Sequence, residues 1–259
     1  MSRRDWWRIA LLSLGGFFEF YDLLFTGYVA PGLVKSGILT PTTPGLFGTT
    51  GIAGFAAALF SGLFLGTLLF GFLADRFGRK TMFTVSLLWY SAAAFVMAFQ
   101  TDAFGLNLWR FIGGIGLGVE MVTIDTYVAE LAPKNQRGRA FALNFTIQFA
   151  AVPVAAALAL LLVPQTPFGI EGWRWVVLIG AVGAIFVWFI RLGIPESPRW
   201  LALHGPSAAR AETAERRGRF GGIWEGPYRI RTIMLIVFHV FQTVGFYGDR
   251  KSTRLNSSH

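Results

Sequence analysis

The chain has 259 residues, 54% of them hydrophobic and only 14% charged, with a formal net charge of +9 and a mean hydropathy of +0.53. That balance excludes an ordinary soluble domain, in which about a quarter of the residues are charged. The absence of cysteine removes disulfide frameworks, thiolate metal sites and thiol redox chemistry. Positive charge serves nucleic acid when Lys and Arg cover one face of a soluble core. Here they sit in short segments between apolar runs, so no nucleic-acid partner is expected.

A helix needs about 20 mostly apolar residues to cross the hydrocarbon core of a bilayer. Six runs satisfy this, at roughly 9–34, 47–74, 81–100, 105–128, 139–163 and 174–194, and a seventh begins near Ile230. The first follows Arg3, Arg4 and Arg8 in the manner of a signal peptide. It is too long for one, contains Glu19 and Asp22, and precedes further apolar runs instead of a soluble domain. Residues 71–80, GFLADRFGRK, read as a short charged loop between the second and third runs. The fourth run carries GGIGLG at 113–118, whose glycines imitate part of a dinucleotide fingerprint. That fingerprint requires a strand, a tight turn and a helix start. Inside a membrane span, small residues instead let helices approach closely.

Trp6, Trp7, Trp89, Trp173 and Trp175 read as interfacial anchors. The expected organisation is a six-helix transmembrane bundle over 1–194, a polar central loop over 195–229 and the start of a seventh helix over 230–248. The last residues, DRKSTRLNSSH at 249–259, are polar and would stop that helix at barely a span's length. They read as a non-native tail, with a second half of the protein missing from the chain.

Orientation follows the Lys and Arg bias of the loops. One side collects Arg3, Arg4, Arg8, Arg76, Arg79, Lys80, Lys134, Arg137, Arg139, Arg191, Arg199, Arg210, Arg216, Arg217, Arg219, Arg229 and Arg231, and the other only Lys35 and Arg174. The expectation is a multi-pass protein of the cell (plasma or inner) membrane, with the lipid bilayer as partner and a cytoplasmic N-terminus and central loop. No metal cluster, nucleophile with base, or phosphate loop stands in a suitable context. No metal, no cofactor and no enzymatic activity are therefore expected.

Ionisable groups at bilayer depth are costly and so are functional candidates. Asp22 lies about 20 Å from the inner end of the first run at about 1.5 Å per residue, and Arg110 lies about 22 Å from the same surface of a core about 30 Å thick. The matching depths predict an Asp22–Arg110 pair. Glu19 stands three residues before Asp22 on the same helix face, placed to share a proton or touch substrate. Glu120, near the glycine run, is a further candidate for substrate or coupling.

The motifs carry a resemblance. GFLADRFGRK is similar to the signature of the major facilitator superfamily for the loop between helices 2 and 3, with Gly71, Asp75, Arg76, Gly78, Arg79 and Lys80 at its key positions. WRFIGGIGLGVEMVTIDTYVAELAPKNQRG and PESPRWL, at 195–201, resemble the sugar-porter pattern. The resemblance implies an all-α membrane protein: the N-terminal six-helix bundle of a twelve-helix transporter, plus the start of helix 7. It also implies a cytoplasmic gate in which the loop residues join Glu130, Arg137, Glu196 and Arg199. GGFFEFYD aligns Asp22 with the proton-coupling aspartate of sugar:proton symporters, and Arg110 with their helix 4 arginine. Protonation of Asp22 would then free Arg110 and permit the inward switch.

Departures from the sugar pattern bear on substrate. EFYD resembles the E-W-Y-D of metabolite:proton symporters, Phe145 stands where sugar porters bind hexose with a glutamine, and Asp125 replaces a proline. Asn144 and Gln148 remain available for polar contacts, and Gln242 resembles a substrate-contacting glutamine of helix 7. The resemblance thus implies proton-coupled symport of a small organic metabolite, an organic or aromatic acid before a hexose, with protons and the missing C-terminal half as partners. The alternatives are a sugar:proton symporter, a receptor of the same fold that senses a metabolite without moving it, and an inactive truncated product.

Overall fold

The computed structural model describes residues 1–45, 48–192, 196, 200–201, 229–230, 233–234 and 237, with only the backbone for 69–75. The chain divides into two compact units, Met1–Ala208 and Ala209–His259. In the second, the described residues 229, 230, 233, 234 and 237 are helical. Gln242, Arg199, the side chain of Asp75 and the tail 249–259 lie outside the described residues.

The first unit is all helix apart from short connections: α1 Arg3–Tyr28, α2 Ala30–Lys35, α3 Gly51–Phe77, α4 Arg79–Met97, α5 Ala103–Leu131, α6 Arg137–Phe149, α7 Ala151–Leu162 and α8 Gly172–Arg191. Among the described residues, six stretches are long and apolar enough to cross a membrane, with α6 and α7 together forming the fifth. These are the six apolar runs of the sequence with their ends moved by a few residues.

The shifts have local causes. A capping box starts α1 six residues before the apolar run. The Ser2 hydroxyl accepts from Asp5 N, and Asp5 Oδ2 accepts from Ser2 N at 2.8 Å. Two breaks were not anticipated, at Val29 and at Ala150. Pro31 and Pro153 stand just after them; proline lacks the N–H that would bond four residues back, and its ring clashes with that carbonyl. The charged segment 71–80 is not a loop. Residues 71–77 complete α3 and Arg79 opens α4, leaving Gly78 as the only residue between them. Its φ of 96° and ψ of 151° belong to a region essentially reserved for glycine.

Glycines also set the closest helix contact. On α3, Gly62 and Gly66 lie against the carbonyls of Phe111 and Ile115. On α5, Gly114 and Gly118 lie against those of Leu59 and Leu63. A β-carbon at any of the four would collide with backbone, so the glycine run of α5 is a packing surface for α3. Trp173 departs from its expected anchoring role: it is buried in the core between α2 and α8, donating to Glu171 Oε2 at 3.0 Å. Many large apolar side chains face outward, including Phe64, Phe104, Leu160, Phe186 and Phe189, as lipid contact requires. The protein is thus a multi-pass membrane protein.

Candidate functional site

Among the described residues, two ion pairs are buried within the bundle. Asp102 caps α5 by accepting from Gly105 N at 2.8 Å, and about two turns on, Arg110 crosses to α1. Its Nη1 donates to Asp22 Oδ2 at 2.7 Å, and its Nη2 donates to the Asp22 carbonyl at 2.7 Å and to the Thr26 hydroxyl. The guanidinium lies over the rings of Phe25 and Phe55, 4.6 and 5.4 Å from their centroids. Asp22 and Arg110 therefore meet as their depths predict. The Asp22 side chain keeps 8% of its surface accessible, against 2% for Arg110.

The second pair is Glu120 of α5 with Arg191 of α8. Arg191 Nη2 donates to Glu120 Oε1 at 2.6 Å, and both side chains are 0% exposed. Arg191 Nη1 donates to the Phe83 carbonyl at 3.1 Å, and the guanidinium stacks 3.4 Å from the Phe83 ring centroid. The loop bias counted Arg191 as a charge flanking the membrane, and that assignment is corrected. Helical side chains lean toward the N-terminus of their helix, so a long side chain at the end of α8 reaches back into the bundle. Gly15 makes room for it, since a β-carbon there would overlap the guanidinium. The signal was present in the sequence: Arg191 fell inside the sixth apolar run and not beyond it. Glu120 is accordingly an ion-pair partner, not a free contact for substrate.

Glu19 does not join the Asp22–Arg110 pair. It is 3% exposed, takes no hydrogen bond among the described residues, and has Glu120, Asp125 and Arg191 as its electrostatic neighbours. Across from it, Asn144 Nδ2 donates to Asp125 Oδ1 at 3.3 Å, and Gln148 Nε2 donates to Asn144 Oδ1 at 3.2 Å. Gly16 admits Gln148 as Gly15 admits Arg191. Asn144 and Gln148 are buried, whereas Phe145, between them in sequence, is 40% exposed. The tyrosine hydroxyl of Tyr90, on α4, lies among these charges with no hydrogen-bond partner; the residue is 2% exposed.

At the opposite end of α5, Arg79, Lys80, Glu130 and Glu196, four of the residues expected to form a gate, lie around the Gly78 turn. Glu196 accepts from Lys80 N at 3.0 and 3.2 Å and so caps α4, whose preceding glycine has no side chain to do it. Lys80 Nζ donates to the Leu192 carbonyl at 2.9 Å, and Arg79 Nη2 donates to Glu130 at 3.4 Å. Arg76 stacks on Phe77. Arg137 is exposed at the start of α6 and joins no ion pair among the described residues. Gly71 lies within α3. No group of His, Asp and Glu able to hold a metal occurs among the described residues.

The chain is similar to known proteins. Residues 9–225 match the family described as "Sugar (and other) transporter". The niacin transporter NiaP of Acinetobacter baylyi is 30% identical over 260 residues, which cover 92% of this chain and 56% of that protein. The inner membrane metabolite transport protein YgcS of Escherichia coli is 33% identical over 202 residues, 76% of this chain and 42% of that protein. Among solved structures, the major facilitator superfamily proton:xylose symporter XylE of E. coli superposes with a TM-score of 0.68 at 21% identity, over 82% of this chain and 49% of XylE. The chain spans about half the length of the curated relatives it matches.

Proposed function

Because the chain belongs to the sugar (and other) transporter family, within the major facilitator superfamily, we propose that it forms the N-terminal half of a proton-coupled secondary transporter for a small organic metabolite in the cell membrane. Its N-terminus is cytoplasmic in this reading, as the loop charges require.

The observation that carries the proposal is the Asp22–Arg110 pair, buried between α1 and α5 yet retaining accessible carboxylate surface. A proton on Asp22 cancels the charge that holds Arg110 Nη1. Arg110 then keeps two neutral acceptors on α1, the Asp22 carbonyl and the Thr26 hydroxyl. The link between α1 and α5 weakens without stranding the guanidinium, which suits a group that must be loaded and unloaded in each cycle. Alternating access needs a second repeat around the midplane site, and the relatives' greater length supports its presence in the working transporter.

The relatives' names frame the substrate range: a niacin transporter and a xylose symporter. The amides of Asn144 and Gln148 could bond to sugar hydroxyls, which keeps sugar:proton symport as the second reading. The test is uptake of niacin, xylose and arabinose into vesicles from cells expressing the complete reading frame, under an inward proton gradient. At least one substrate accumulates above equilibrium, an uncoupler abolishes the accumulation, and Asp22→Asn abolishes it while leaving exchange. Accumulation that survives Asp22→Asn contradicts the proposal.

A further inference from the structure

Charge bookkeeping around Glu19 bears on what the transporter carries. Glu19 of α1, one turn from the Gly16 that abuts Gln148, has two carboxylates of α5 as electrostatic neighbours, Glu120 and Asp125. One guanidinium, Arg191, serves them, and its bond goes to Glu120. Arg110 is held by Asp22 and Thr26 on the other side. Glu19 thus lies buried without a hydrogen bond, and Asp125 has only the Asn144 amide. Tyr90 adds a second unpartnered group, a buried hydroxyl with no hydrogen bond among the described residues, in the field of Glu120 and Glu19.

Burying a carboxylate without a partner is expensive, and the cost is relieved by a cation that also donates hydrogen bonds. A carboxylate ligand would add a further negative charge and meet no free guanidinium among the described residues. A protonated nitrogen would find two carboxylates, the Asn144–Gln148 amide chain to orient it, and the Tyr90 oxygen as a further acceptor.

We propose that Glu19 and Asp125, with Asn144, Gln148 and Tyr90 around them, form the subsite for the positively charged nitrogen of the transported metabolite, either a protonated amine or a protonated ring nitrogen. The inference rests on the transporter reading and narrows it, displacing the acid-first expectation drawn from EFYD.

The test is equilibrium binding to the purified 259-residue chain in lipid nanodiscs, read by tryptophan fluorescence with no proton gradient. The probes are benzylamine, benzamide and benzoate, which share a ring and differ in charge. Benzylamine binds saturably and at least about tenfold more tightly than the other two. Glu19→Gln and Asp125→Asn each weaken it about tenfold or more, the effect of one charge-assisted bond. The exposed Arg139→Gln leaves it unchanged. Benzoate binding as tightly as benzylamine overturns the proposal, as does benzylamine binding insensitive to both carboxylate variants, or no saturable binding of any probe. The ranking among probes on the unmodified chain needs no variant to fold. A failure of proton coupling at Asp22 leaves it standing, so the two proposals fail separately.

Discussion

The two buried ion pairs use the same chemistry in different settings. Arg110 has three acceptors on one helix, a flanking ring on either side, and a carboxylate partner with a little accessible surface. Arg191 has one carboxylate oxygen and one carbonyl from two different helices, and both members are sealed. Among the described residues the Nε of both arginines lacks a partner, and in the second pair Glu120 Oε2 does too. The first pair has the larger set of protein acceptors and keeps some accessible carboxylate side-chain surface, which is the ground for the proposed coupling role. The second ties α4, α5 and α8 together and depends on its partners staying in place. Both pairs lie inside the bundle, and what distinguishes them is the reserve of acceptors and the accessible surface of the carboxylate.

The largest effect expected from breaking this comparison comes at the sealed pair. Arg191→Ala leaves Glu120 buried and uncompensated, at a cost of about 3–5 kcal/mol. Thermal unfolding in detergent should show a large drop in midpoint. The double variant Glu120→Leu with Arg191→Met should recover most of that loss, because apolar residues of similar volume replace buried ion pairs at little cost. If the double variant is as unstable as Arg191→Ala, the charges themselves are required and the assignment of a tying role is wrong.

Next is Gly15→Ala, which forces a methyl group into the guanidinium of Arg191. Overpacking of this kind costs about 1–3 kcal/mol, and the same melt reads it. The loss should vanish in the Glu120→Leu/Arg191→Met background, where the shorter methionine can move aside. The smallest effect belongs to Thr26→Val, which removes one of the three acceptors of Arg110 at about 1 kcal/mol, because the Asp22 carbonyl still serves the same Nη2. A loss as large as that of Arg191→Ala would erase the distinction between a well-provided guanidinium and a sparsely provided one.

The long apolar runs fixed the six spans before any coordinates, because crossing a bilayer demands a length and composition that little else produces. Depth counting brought Asp22 and Arg110 together because their positions in their runs put both about 20 Å from the same surface. The loop bias misplaced Arg191, which ends α8 while its side chain reaches back into the bundle by the lean of helical side chains. Gly78 shows a different limit. Charge density suggested a loop, but one residue with a backbone angle open to glycine was enough to turn the chain. Glu196, far away in sequence, supplies the cap that the turn lacks. The solitary position of Glu19 was not legible, since it depends on where α5 and α6 place Asp125 and Asn144.

The central claim is that the accessible pair moves protons and the sealed pair does not. It is tested most directly by substrate-induced proton movement in vesicles carrying the complete transporter, comparing Asp22→Asn with Glu120→Gln. The account predicts no substrate-induced alkalinisation of the medium with Asp22→Asn, and a retained signal with Glu120→Gln, scaled by the amount of folded protein. Alkalinisation that persists in Asp22→Asn and disappears in folded Glu120→Gln would assign coupling to the wrong pair and contradict the account.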